Sequence, residues 1–242
     1  IFNPSIVFDP QRRDYIVAAR VFLSANGTTN RQSWRGSNRT VLTRMDQSFS
    51  KLIGKAAVLT SILVEKYRSS AIADEEEEAG TEDVRIVLQG GDVWAVGNET
   101  VGKRRQVVAA RLDAFSFRIL DSGIICQSIQ GPFEKNWSIY KTGEAWRVLY
   151  KLSPLETISV SGSLLGGKAE KREEPSSILD EVVSAFQERV SGFRVEVRNR
   201  TCPVKIGARS WLCMGGCVLD WGETEPLINA MLVPGIQSSA YS

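Results

Sequence analysis

The run Tyr15-Ile16-Val17-Ala18-Ala19-Arg20 returns, slightly altered, as Val107-Val108-Ala109-Ala110-Arg111. Both are short and rich in β-branched or small residues, which is how a half-buried strand reads. Runs of this kind recur at Tyr15–Phe22, Ala57–Lys66, Val93–Gly97, Arg105–Leu112, Phe115–Leu120, Trp146–Lys151, Thr157–Val160, Phe193–Val197 and Trp211–Val218. Most neighbours lie too close together for a helix to fit between them. The pattern therefore predicts antiparallel meanders, not β-α-β units.

An aromatic residue opens comparable strands at Tyr15, Trp94, Trp146 and Trp211, with gaps of 79, 52 and 65 residues. Propeller blades repeat at roughly 40 to 50 residues, so the longer gaps require loop insertions or, for the first, one further blade. Two segments break the β pattern. Residues 72–83 are acidic, with Glu75 to Glu78 in a row; like charges repel, which predicts a solvated loop. After Pro175, Ser176 and Ser177, the residues Ile178, Leu179, Val182, Val183, Phe186 and Val190 recur at helical spacing before Gly192. This predicts one amphipathic helical insertion at about 175–191, lying on a sheet or offered to a partner.

The 242 residues are 43% hydrophobic, enough for one all-β domain spanning 1–242. Lys plus Arg total 30 and Asp plus Glu 28, a net charge of +2. No basic stretch is interleaved with aromatics, so nucleic acid is not an expected partner. No apolar run reaches the roughly 18 to 20 residues that span a bilayer. The first residue is Ile1 and not Met, which reads as a fragment or a processed form.

Histidine is absent. That excludes Ser-His-Asp and Cys-His catalysis, His-ligated zinc and a His general base. Chemistry must rest on carboxylates, Arg, Lys, Tyr or thiols. The four cysteines, Cys126, Cys202, Cys213 and Cys217, do not form two close pairs. Buried thiols or disulfides are the expectation, and no metal site. Five of the eight asparagines, Asn26, Asn38, Asn98, Asn136 and Asn199, begin Asn-x-Ser/Thr sequons. Chance gives roughly one, so the excess favours a secretory or extracellular route, with a cytoplasmic location as the alternative.

Four strings stand beside strand-like runs: Asn3-Pro4-Ser5-Ile6, Glu82-Asp83-Val84-Arg85, Lys135-Asn136-Trp137-Ser138 and Arg200-Thr201-Cys202-Pro203. Each puts polar side chains where a strand meets a loop, the place where a propeller gathers a site. A proton donor to a glycosidic oxygen is a carboxyl group held partly out of water. Asp83 fits that place, although Arg85 favours the ionised form unless an anion or Glu82 occupies it. By composition alone, Glu82 and Asp83 read better as the end of the acidic loop. Lys135, Asn136 and Trp137 together suit sugar recognition, the indole against C–H faces and the polar groups on hydroxyls or an anion. A core position for Trp137 is the alternative.

In this order the strings resemble the five-bladed β-propeller enzymes that make or break glycosidic bonds, above all the mannoside phosphorylases and their hydrolase and mannosyltransferase relatives. The resemblance runs from Asn3 to about Leu232 and is carried by these anchors. It implies that Asp83 matches the proton donor of a Glu-Asp-Pro-Arg string, with Val84 replacing the Pro that fixes a backbone angle. It implies that Lys135-Asn136-Trp137 matches a Lys-Asn-Trp string, and Thr201-Cys202-Pro203 a Gly-Thr-Pro turn. Arg20 stands where the family has an arginine facing sugar or phosphate. Ser153-Pro154-Leu155 and Gly215-Gly216 stand where relatives often carry histidines.

The expectation is thus an all-β, five-bladed β-propeller with one accessory helix. Asp83 is the catalytic candidate. Asn3, Arg20, Glu82, Arg85, Lys135, Asn136, Trp137 and Thr201 are candidates to bind substrate or phosphate. The expected activity is cleavage or formation of mannose-type glycosides by a phosphorylase, hydrolase or glycosyltransferase. No cofactor is implied, with inorganic phosphate or a sugar phosphate as co-substrate. The alternative is an inactive glycan-binding or protein-interaction propeller.

Overall fold

The computed structural model describes residues 2–23, 37–59, 61–63, 80–101, 103–173, 178–189, 194–205, 210–213, 215–220, 229–232 and 235–237. They form five antiparallel sheets and one helix. The chain divides into two compact units, Ile1–Lys135 with Leu164–Gly166, and Asn136–Ser163 with Gly167–Ser242.

The first unit contains two four-stranded meanders. One is β1 (Phe2–Asp9), β2 (Asp14–Leu23), β3 (Ser37–Met45) and β4 (Leu52–Leu59). The other is β5 (Glu82–Gln89), β6 (Asp92–Val101), β7 (Arg104–Leu112) and β8 (Ile119–Ile124). Local turn chemistry sets the hairpins. Gly90 and Gly91, with φ of 63° and 86°, take backbone angles open to glycine and join β5 to β6. Asp9 accepts from the backbone amides of Gln11 and Arg12 between β1 and β2. Ile16, Ala18 and Leu42 of the first meander share one apolar core with Val84, Ile86, Val93, Ala95, Val108 and Ala110 of the second. β1 lies against β5, where the Ile86 amide donates to Ser5 Oγ at 3.0 Å.

Tyr15, Trp94 and Trp146 each stand near the start of the second strand of a four-stranded meander. The wide first gap holds no further sheet among the described residues. Several boundaries move from the sequence reading. Phe115–Phe117 turn because Asp113 accepts from the amides of Phe115 and Ser116, and Phe117 takes φ 57°; β8 starts only at Ile119. Of the run expected at Ala57–Lys66, β4 takes the part up to Leu59, residues 61–63 are drawn toward Glu99, and 60 and 64–66 lie outside the described residues. Glu82 and Asp83 belong to β5 and not to a loop; of that acidic segment, 72–79 lies outside the described residues.

The second unit has a third meander, β9 (Ser138–Thr142), β10 (Ala145–Leu152), β11 (Leu155–Ser161) and β12 (Lys168–Glu173). β12 was hidden in the sequence because its Lys-Ala-Glu-Lys-Arg-Glu is a mostly solvated edge with no apolar period. Helix α1 (Ile178–Arg189) follows, close to the expected place, with Asp180 and Glu181 in its first turn and Arg189 in its last, each suited to the helix dipole. Its Val183 packs on a core of Tyr140, Leu149, Leu152 and Cys213. The remaining strands are β13 (Arg194–Asn199), β14 (Val204–Lys205), β15 (Ser210–Leu212), β16 (Gly215–Asp220), β17 (Asn229–Leu232) and β18 (Gly235–Gln237). They form the sheets β13-β16-β17 and β14-β15-β18. The single run expected at Trp211–Val218 is therefore two strands in two sheets.

Candidate functional site

Register explains why the first two anchor strings share a geometry. In β1 the partners pass from Phe2↔Arg20 to Ser5↔Ala18, so Asn3 and Pro4 face the single residue Ala19. In β5 they pass from Glu82↔Asn98 to Arg85↔Val96, so Asp83 and Val84 face Gly97. These are equivalent bulges, each with its first residue at positive φ, 43° for Asn3 and 53° for Asp83. Asn136 also has positive φ, 64°, directly before Trp137 and β9. Asn and Asp are the non-glycine residues that best tolerate this conformation, because their short polar side chains bond locally. Backbone demand and chemistry thus select the same residue types.

The β1 and β5 bulges bring their side chains together. Asn3 Nδ2 donates to Asp83 Oδ1 at 2.5 Å, and Arg20 Nη1 donates to the same oxygen at 3.0 Å. Arg20 Nη2 lies 3.2 Å from Glu82 Oε1, and Arg105 Nη2 pairs with Glu82 Oε2. With its amide oxygen turned toward Arg105, Asn98 accepts from Nε at 3.2 Å and Nη2 at 2.8 Å. Two guanidinium and two carboxylate groups alternate, so their charges cancel. The cluster is neither buried nor fully open; the Asp83 side chain is 27% exposed. Both contacts to Asp83 fall on Oδ1, and no described residue donates to Oδ2.

β6 supports this string from behind. At Gly97 an added Cβ would lie 2.6 Å from Thr81 Cγ2 and 2.9 Å from the Glu82 carbonyl oxygen. Glycine lets the bulge close on its partner strand. Next along, Glu99 is buried and accepts from Thr81 Oγ1, Ser61 Oγ and the amides of Ile62 and Leu63. Three consecutive residues of β6 thereby hold the chain from Thr81 to Asp83. Gly97, Asn98, Glu99 and Arg105 escaped the sequence reading. Only strand register reveals them, and Asn98-Glu99-Thr100 reads in the sequence as a sequon.

The other expected residues are placed differently. Arg85 is buried on β5, and it is Arg20 that contacts Asp83. Lys135 Nζ sits 5.2 Å from the centroid of the Phe133 ring. Trp137 is 2% exposed and meets Tyr150 edge-on at 5.1 Å, so its ring is part of the core of the second unit. The Thr201 carbonyl accepts from Ser138 Oγ at 3.0 Å. Asn98 and Asn199 are each 3% exposed, and Asn199 donates to the Leu149 carbonyl. A glycan at either would not fit the fold, which weakens the sequon argument. Cys126 and Cys213 are buried free thiols, and Cys202 is buried as well. Burial pushes Cys126 up to about 12 and, with Cys202 adding to it, Cys213 up to about 11, so both are poor nucleophiles. Among the described residues no group of three potential metal ligands occurs and no helix is long and apolar enough to cross a membrane.

No family model and no curated protein matches this chain. Solved structures do. A mutant of the GH43 protein BlXynB from Bacillus licheniformis matches 96% of the chain at TM-score 0.56 and 10% identity. The native arabinanase Arb43A of Bacillus subtilis matches 98% at TM-score 0.56 and 9% identity. A GH43 endo-arabinanase from Bacillus licheniformis matches 98% at TM-score 0.55 and 10% identity. The chain spans 39% of the first of these proteins and 72% of each of the other two. At such identities the likeness concerns the fold: nearly all-β, antiparallel, and of the propeller kind found in GH43 glycoside hydrolases. The narrower resemblance to mannoside phosphorylases gains no support from these matches.

Proposed function

We propose that this chain is a carbohydrate-active protein of the glycosidase type, with the Asn3–Arg20–Glu82–Asp83 cluster as its sugar site and Asp83 as its catalytic carboxyl. One observation carries the reading: two bulges from separate sheets aim Asn3 and Asp83 at each other, with Arg20 bonded to the carboxylate. Fixing Oδ1 with two donors sets the plane of the carboxyl group. That leaves Oδ2 to accept a proton from water or a sugar hydroxyl or, when the carboxyl is protonated, to give one to the glycosidic oxygen. The four charges already cancel, so uncharged sugar hydroxyls suit the site without an anion. Phosphate would have to displace a carboxylate from Arg20 or Arg105, which places hydrolysis ahead of phosphorolysis. Mannosides remain the substrate implied by the anchor strings. Arabinose- and xylose-containing glycans enter from the fold neighbours.

A second reading, glycan binding without turnover, is favoured by the Arg20–Asp83 ion pair itself. A carboxylate engaged in this way accepts hydrogen bonds from hydroxyls and gives up no proton. The two readings separate on incubation with manno-, arabino- and xylo-oligosaccharides, with and without phosphate. Turnover by the native chain that Asp83→Asn abolishes supports the enzyme. Turnover undiminished in Asp83→Asn rejects Asp83 as the reacting group. Binding without turnover in either supports the lectin-like reading.

A further inference from the structure

With Trp137 in the core, the cluster needs another apolar surface if it is to grip a sugar chain. The chain from Gly131 to Glu134 supplies one. Its backbone is pinned along β7: the Arg105 amide donates to the Pro132 carbonyl at 3.0 Å, and the Glu134 amide donates to the Arg105 carbonyl at 2.8 Å. The Glu134 carboxylate closes the loop on the Gly131 amide at 3.0 Å. From this fixed backbone Phe133 projects with 61% of its surface exposed. A lone exposed phenylalanine is ordinary. This one has the Arg105 guanidinium over its ring, 6.0 Å from the centroid, and that is the same guanidinium that holds Glu82. The Lys135 ammonium lies 5.2 Å from the ring. One arginine therefore joins the aromatic surface to the carboxylate cluster.

We infer that Phe133 is a stacking platform for a second sugar ring, so that the ligand of this site is an oligosaccharide and not a simple monosaccharide glycoside. The inference rests on the carbohydrate reading of the Asp83 cluster. A sugar ring presents C–H groups on its face and hydroxyls on its rim. The Phe133 ring takes the face, and the Arg105 and Lys135 groups now over the ring swing aside to donate to the rim hydroxyls. Because the backbone is held before the ligand arrives, little ordering cost opposes this contact.

The test is calorimetric titration of the whole chain with mannose, arabinose and xylose and with the corresponding di- and trisaccharides. Native protein, Phe133→Ala, Phe133→Tyr and Arg20→Ala are compared, with thermal unfolding as a check that each is folded. We expect the favoured trisaccharide to bind native protein about tenfold more tightly than its monosaccharide. Phe133→Ala removes that gain, whereas Phe133→Tyr retains it. If sugars bind and Arg20→Ala weakens them, but the gain with length survives Phe133→Ala or is absent from native protein, the platform is wrong and the sugar site stands. If no sugar binds native protein, both are overturned.

Discussion

Arg44 and Arg20 each hold two carboxylates within the same unit, yet their surroundings differ. Arg44 joins Asp9 and Asp14 and also donates to the Ala114 carbonyl, with side-chain exposures of only 3% to 6% for the three charged groups. The cluster ties the β1–β2 hairpin to β3 and to the turn after β7. Arg20 joins Asp83 and Glu82 at exposures of 15% to 27%, at a pair of left-handed bulges. The first cluster is shut away from solvent. The second is partly open to it. Residue types alone do not distinguish the two clusters; burial and backbone geometry do.

The comparison breaks most sharply at Arg44. Arg44→Met leaves two buried carboxylates without a cation, which costs about 3–5 kcal/mol of stability. Chemical denaturation should show that loss, while whatever remains folded keeps its affinity for sugar. Gly97→Ala comes next. Overpacking against Thr81 and the Glu82 carbonyl should cost about 1–3 kcal/mol. Because the obstacle includes backbone, the strain shifts Asp83 and weakens sugar binding as well. The equivalent Ala19→Gly on β2 has no such clash to relieve or create and should cost only about 0.5–1 kcal/mol, without a change in binding. Equal binding in Gly97→Ala and native protein would sever the link from β6 to the site.

Acid sharpens the same contrast. Burial raises the Asp9 carboxyl, but Arg44 and the Arg12 and Gln11 amides outweigh it and hold the group below its ordinary 3.8. A carboxyl lowered in the folded state contributes stability above its ordinary value, and that contribution is lost as pH falls through the folded value. The unfolding temperature of native protein should therefore drop below about pH 4, and Asp9→Asn should flatten that part of the profile. The smallest stability effect belongs to Arg20→Ala. Partly exposed ion pairs contribute at most about 1 kcal/mol, so unfolding moves little while sugar affinity falls.

Much of this was legible in the sequence. β-Branched runs and the aromatic residues opening β2, β6 and β10 gave the meanders, and helical spacing gave α1. Asn3, Arg20, Glu82 and Asp83 were all candidates, and the structure joins them. Arg85 and Trp137 were candidates too, and both are buried; a one-residue bulge decides which side each neighbour faces, which no local pattern shows. β12 carries no apolar period. Trp211–Val218 looks continuous because nothing local marks the change of sheet at Cys213. Arg105, Gly97 and Glu99 act through register across β5, β6 and β7, which no local pattern encodes.

The central claim is that the Asp83 carboxylate is held for a sugar and not for the fold. Oligosaccharide turnover and thermal unfolding of Asp83→Asn, measured side by side with native protein, test it most directly. The account predicts turnover lost and the unfolding temperature nearly unchanged. Full turnover in Asp83→Asn, or a collapse of stability like that expected for Arg44→Met, would contradict it.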